Sequence, residues 1–141
     1  MAQTGAKTVQ YLNPDTAGPP QGLYAHVARV EAGALYFIAG QLAVGRDGAV
    51  VGKGDFERQF RQVFANLGAV LKGLGLGFED VAKFTTYLVH SQDIEPFMRL
   101  RAELFPTLFA GKLYPPNTLL IIDRLVKEDF LLEVEAVARA R

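Results

Sequence analysis

The sequence predicts an α+β fold, a mixed β-sheet with two helices packed on one of its faces. Three observations lead there. At 141 residues, 50% of them hydrophobic and 21% charged, the chain has the length and composition of one globular domain with a sizeable core, spanning residues 1–141. Two segments carry apolar residues at three- and four-residue steps, and six carry strand-like runs or alternation. The resulting order, β-β-β-α-β-α-β-β, has too few helices to supply a crossover for every strand, so most strands must pair as hairpins.

Lys7–Leu12 alternates weakly and reads as a first short strand. Asn13–Gly22 (NPDTAGPPQG) is too dense in Pro and Gly for regular structure. Ala25–Glu31 and Leu35–Gly40 read as strands of a hairpin linked by Ala32-Gly33-Ala34, and Gly45-Arg46-Asp47-Gly48 as a further turn. Asp55 offers an N-cap for a helix whose Phe56, Phe60, Val63, Phe64, Leu67, Val70, Leu71 and Leu74 share one face. Gly75 stops that helix. Val81–Val89, rich in Thr, Tyr, Phe and Val, is a strand. Ser91 or Asp93 caps a second helix, with Pro96 tolerated in its first turn. Ile94, Phe97, Met98, Leu104, Phe105 and Leu108 form its core stripe, and Arg99, Arg101 and Glu103 are expected off it. Tyr114–Ala138 then reads as two long strands joined by a short charged turn, a final hairpin entered through Pro115-Pro116. Helices on one face leave the other face of the sheet apolar and uncovered, which predicts oligomerisation through it.

Fifteen basic and fifteen acidic residues cancel, and no basic stripe offers nucleic acid a footprint. Without cysteine there is no disulfide, thiolate nucleophile or Cys-ligated zinc. The start of the chain has no apolar signal core and no run reaches membrane-spanning length, so a cytoplasmic, soluble protein is expected. Gly73, Gly75 and Gly77 follow a helix instead of opening one, which is the wrong context for a dinucleotide loop. His26 and His90 have no spacing that makes a metal site, and no Gly-x-Ser-x-Gly elbow is present. No metal or cofactor is expected. The final hairpin holds two polar groups outside its apolar pattern, Asn117 and Glu133. They form the wall of a site, or the hairpin is an ordinary edge hairpin with Glu133 and Glu135 on its wet face.

The chain resembles the RidA/YjgF (Rid, L-PSP endoribonuclease-like) family over nearly its whole length. Asn13-Pro14 and Gly22-Leu23-Tyr24 resemble the family's N-terminal APxxxGPYSQA segment, and Phe37-Ile38-Ala39-Gly40-Gln41 its vfvSGQ strand. Gln59 and Asn66-Leu67 resemble Q…NL, and Asp80-Val81-Ala82-Lys83 resembles dVvk. Pro116-Asn117-Thr118 and Leu132–Ala138 fall where relatives carry P-x-R-[ST] and vEiEaia. The resemblance implies a chorismate-mutase-like domain assembled as a homotrimer, with a barrel-like core of sheets and ligand clefts between subunits. It also implies cofactor-free hydrolysis of enamines and imines to a carbonyl compound and ammonia. A Tyr (Tyr24) and the glycine strand (Gly40, Gln41) would line the cleft, a carboxylate (Glu133) would assist water, and an arginine would bind the substrate carboxylate.

At the arginine position this sequence has Asn117, and it also has Leu23 for Pro, His26 for Gln and Ala39 for Ser. A neutral amide does not reproduce the paired charge-assisted bonds of a guanidinium. Arg99 falls where many relatives have an Asn, and it reads either as a relocated anion-binding charge or as a surface residue paired with Glu95 or Glu103. His26 reads either as a proton carrier beside Glu133 or as the filler of a Gln-sized slot. Three functions follow as expectations. One is a variant imine/enamine deaminase acting on a small organic molecule. The second is a non-catalytic ligand-binding or regulatory trimer. The third is the endoribonuclease or translation-inhibitor role in the family name, which the absent basic stripe disfavours.

Overall fold

The computed structural model describes residues 9–141; Lys7 and Thr8, the expected start of the first strand, lie outside them. β1 (Val9–Leu12) and β2 (Val27–Val30) form a two-stranded antiparallel ribbon, with Val9 opposite Val30. β3 (Leu35–Gln41), β4 (Val81–Leu88), β5 (Asn117–Ile121) and β6 (Leu132–Arg139) form a four-stranded sheet ordered β3-β6-β4-β5. α1 (Phe56–Gly73) and α2 (Ile94–Leu108) cover one face of that sheet.

α1 forms for the expected reasons, whereas Asp93, the expected cap of α2, precedes that helix without a side-chain capping bond. Asp55 caps α1 by accepting from the Arg58 amide at 3.0 Å, and Gly75, at φ 73°, turns the chain away after its end. Phe60, Val63, Phe64, Leu67 and Leu71 are buried along one stripe. Their rings meet those of α2 and the sheet: Phe60 and Phe97 are 5.5 Å apart, Phe64 and Phe105 5.5 Å, and Phe64 and Phe84 6.0 Å. Each such buried side chain contributes ~1.5–3 kcal/mol relative to exposure.

Neither predicted hairpin is present. β2 pairs with β1 and β3 pairs with β6, so the 31–34 link passes between two sheets. Its carbonyls are satisfied by the far end of the chain: Arg139 donates to Glu31 O at 2.7 Å and to Ala32 O at 2.6 Å. Its guanidinium lies so close to Gly33 that a Cβ there would sit 2.5 Å away. β5 and β6 are likewise not partners, because β4 lies between them, parallel to β5 and antiparallel to β6. α2 acts as the crossover that a parallel β4–β5 pair requires, and 122–131 is a long connection carrying the chain past the end of β4.

That connection is held by one buried amide. Gln59 on α1, fully buried, donates to Asp129 O at 2.8 Å and Gly52 O at 3.1 Å and accepts from the Leu131 amide at 2.9 Å. Two turns along the helix, Asn66 donates to Leu42 O and Val44 O, each at 2.9 Å, fixing the chain after β3.

β6 shows strict alternation. Leu132, Val134, Ala136 and Ala138 are buried under the helices, while Glu133, Glu135, Val137 and Arg139 face away. On that outward face Phe37 pairs with Val137 and Tyr87 with both Glu133 and Leu120. Phe37 is 80% exposed there, and Leu35 and Leu120 are also exposed. The uncovered apolar face expected from the sequence is present.

Candidate functional site

Glu133 stands in the middle of this open face, on a strand flanked by β3 and β4. The bulge between Ile38 and Gln41 brings Gly40 directly beneath it, and a Cβ at residue 40 would overlap the Glu133 carboxylate. Burial, and then the nearby Glu135, push the Glu133 carboxyl above its ordinary range. Glu135 itself accepts the Tyr87 hydroxyl proton in a short hydrogen bond, which holds the Tyr87 phenol protonated above its ordinary range. The pair leaves Glu133 as the outward carboxyl with no hydrogen-bond partner among the described residues, half-buried and biased towards holding a proton. Such a group can take a proton from water and return it. The Gln41 side chain turns back to Ala39 O at 3.0 Å.

Asn117 lies on the opposite side of the same sheet. It is in register with Phe84, shares its face with Leu119, and accepts from the Thr86 hydroxyl at 2.8 Å. The predicted meeting of amide and carboxylate therefore does not occur within one chain.

Tyr24 and His26 sit together on the loop before β2, their rings edge to face at 6.4 Å. His26 bonds the start and the middle of the Pro/Gly-rich segment: its amide donates to Asn13 Oδ1 at 2.8 Å and its Nε2 to Gly18 O at 2.6 Å. Since a carbonyl only accepts, Nε2 carries the hydrogen. Tyr24 Oη accepts from the Gln21 amide at 3.1 Å. Among the described residues no hydrogen bond joins this loop to Glu133 or Asn117.

Arg99 extends from α2 into solvent and pairs with Glu103 at 3.4 Å, its side chain 57% exposed. Arg101, expected off the core stripe, is instead 2% exposed. The reason is spacing: Phe97, Arg101 and Phe105 follow one another at four-residue steps, so residue 101 is a stripe position occupied by a cation. Its guanidinium lies 5.1 Å from the Phe97 ring centroid, with Nη2 2.9 Å from Met98 Sδ.

A cavity of about 300 Å³ opens elsewhere, under the 122–131 connection, lined by Val89, His90, Asp123, Arg124, Leu125, Glu128 and Phe130. It contains none of the candidate residues.

These features define a class of protein: a helix-backed sheet with an open apolar face, a carboxyl seated over a glycine bulge, and a tyrosine loop beside the second helix. A family model described as Endoribonuclease L-PSP matches residues 16–140. A RutC family protein of Pyrococcus horikoshii is 35% identical over 124 residues, 88% of this chain and 92% of that one. The Rid-family protein YyfB of Yersinia pestis superposes with a TM-score of 0.83 at 30% identity, over 94% of this chain and 98% of that one. TdcF of Escherichia coli, solved with bound serine, has a TM-score of 0.68 at 26% identity, over 94% and 99% of the two chains. The chain belongs to the RidA/YjgF family of L-PSP endoribonuclease-like proteins, and its fold is theirs.

Proposed function

We propose that the protein is a homotrimer that binds a small organic acid in clefts between subunits and hydrolyses an imine or enamine there. The observation that carries this reading is the division of the candidate residues. Glu133 and Gly40 lie on the open sheet face, while Tyr24 lies on the loop before β2, elsewhere on the same chain. Copies meeting through the exposed Phe37, Leu35 and Leu120 surface would cover the apolar face and bring those two sets together. The serine bound by TdcF, a relative covered over almost its whole length, supports a small amino or organic acid as the occupant.

In the reaction, water adds to the carbon of the C=N bond while Glu133 accepts the water proton. Glu133 returns that proton to nitrogen, giving a carbinolamine; it then takes the proton of the new hydroxyl and delivers it to the amine as the C–N bond breaks, so that ammonia leaves a carbonyl product. The raised affinity of Glu133 for a proton suits both steps. Gly40 permits the close approach, and Tyr24 packs the ligand. A second reading, a ligand-binding trimer without catalysis, is favoured by Asn117, whose amide is engaged by Thr86 and carries no charge.

Ammonia release from freshly generated 2-aminoacrylate and iminoacids separates the two. Wild type is expected to release ammonia, with the rate lost by ~100-fold or more in Glu133→Gln, the usual range for removing a proton-transfer group. Silence in wild type with gain in Asn117→Arg would mean a working scaffold with a different natural substrate. Silence in both contradicts the hydrolase and leaves the binding trimer.

A further inference from the structure

Arg101 is the one buried cation among the described residues, and no carboxylate among them neutralises it. Its Nε has no hydrogen-bond partner, and no carboxylate among the described residues lies within ion-pair distance. Arg29, Arg61, Arg99, Arg124 and Arg141, which are more exposed, each hold a carboxylate. A thioether and an aromatic face compensate a desolvated guanidinium only weakly. Leu or Met would fit the stripe between Phe97 and Phe105 without this cost. A buried charge left uncompensated by its own chain is suited to an anion that arrives from outside.

One side of the guanidinium is closed by backbone, and one phenol lies near it. The turn at Gly22 presses on the guanidinium so closely that a Cβ there would be 2.5 Å from Nη2 and 3.2 Å from Met98 Cε. The turn is set by the Tyr24 amide donating to Gly22 O at 2.9 Å. Tyr24 Oη accepts from Gln21 and has no acceptor for its own proton among the described residues. Tyr24 is also the ionisable group near enough to bear on Arg101. Burial lowers the guanidinium to about 10, which leaves it fully charged at neutral pH.

We infer that Arg101, with the Tyr24 hydroxyl, binds the carboxylate of the ligand from the α2 side, so that the occupant is an anion despite the neutral Asn117. This deepens the proposed small-acid site and rests on it. A planar guanidinium offers a carboxylate two parallel bonds, and the phenol a third.

The test is a titration of the full-length protein, followed by NMR chemical shifts, with propionate and with its uncharged counterpart propionamide. Wild type is expected to bind propionate at least tenfold tighter than propionamide. Arg101→Met, which keeps the stripe filled, is expected to abolish that preference by weakening propionate tenfold or more. It is also expected to raise the melting temperature of the ligand-free protein, since an unpaired buried charge is removed. Arg101→Lys, which keeps charge but not the fork, should fall between. Wild type that binds propionate while Arg101→Met binds it equally well overturns this inference alone. So does an affinity lost in Arg99→Ala and kept in Arg101→Met. Wild type that binds neither probe overturns the small-acid reading and this inference with it.

Discussion

The role proposed for Glu133 rests on its strand position and on one neighbour, the glycine beneath it. With hydrogen alone at position 40 the carboxyl lies over the β3 bulge; Gly40→Ala would drive the two strands or the carboxyl apart. That substitution is expected to lower ammonia release while the protein stays folded by circular dichroism. The raised proton affinity of Glu133 also sets a sign for stability. Folding favours its protonated form, so its contribution is fully present below the ordinary glutamate value of 4.5 and is lost as pH rises through the raised folded value. Glu133→Gln should therefore melt with wild type in acid and above it at pH 7; equal melting temperatures at both would contradict the shift. Most candidate residues at this scale were readable as residue types. Arg101 was not, because an arginine is expected at the surface and its stripe spacing was outweighed by its charge. Its four-residue steps from Phe97 and to Phe105 were the available signal.

Among the elements, the two helices were legible almost to the residue, because a cap, a periodic stripe and a terminating glycine agree over α1. Strand locations were legible as well, but strand partners were not. Alternation tells which residues share a face and says nothing of which strand lies alongside. Both predicted hairpins assumed that sequence neighbours pair, and in both cases a distant group intervenes: Arg139 at the 31–34 link, β4 between β5 and β6. Gln59 shows how the second arrangement is secured. Gln59→Ala leaves Gly52 O, Asp129 O and the Leu131 amide without their buried partner, and is expected to destabilise by about 2–4 kcal/mol. Urea denaturation checks this; a loss under about 0.5 kcal/mol, the level of an ordinary surface change, would remove its role as a latch.

For the whole molecule the governing fact is the open face. Phe37, 80% exposed, stands on this face beside Val137, with exposed Leu35 on the same strand and exposed Leu120 at the opposite edge, a surface suited to burial against another protein. Its existence was legible from two helices serving one sheet, although which copies cover it is invisible in one chain. Phe37→Asp places a charge on it and is expected to dissociate the proposed assembly and to abolish ammonia release together, since in that assembly each cleft needs two subunits. The same dependence makes the assembly state the most direct test of the account. Light scattering on the purified wild-type protein is predicted to give the mass of three chains. A mass of one 15.4 kDa chain at micromolar concentration would contradict it, because Glu133 and Tyr24 would then have nothing to bring them together.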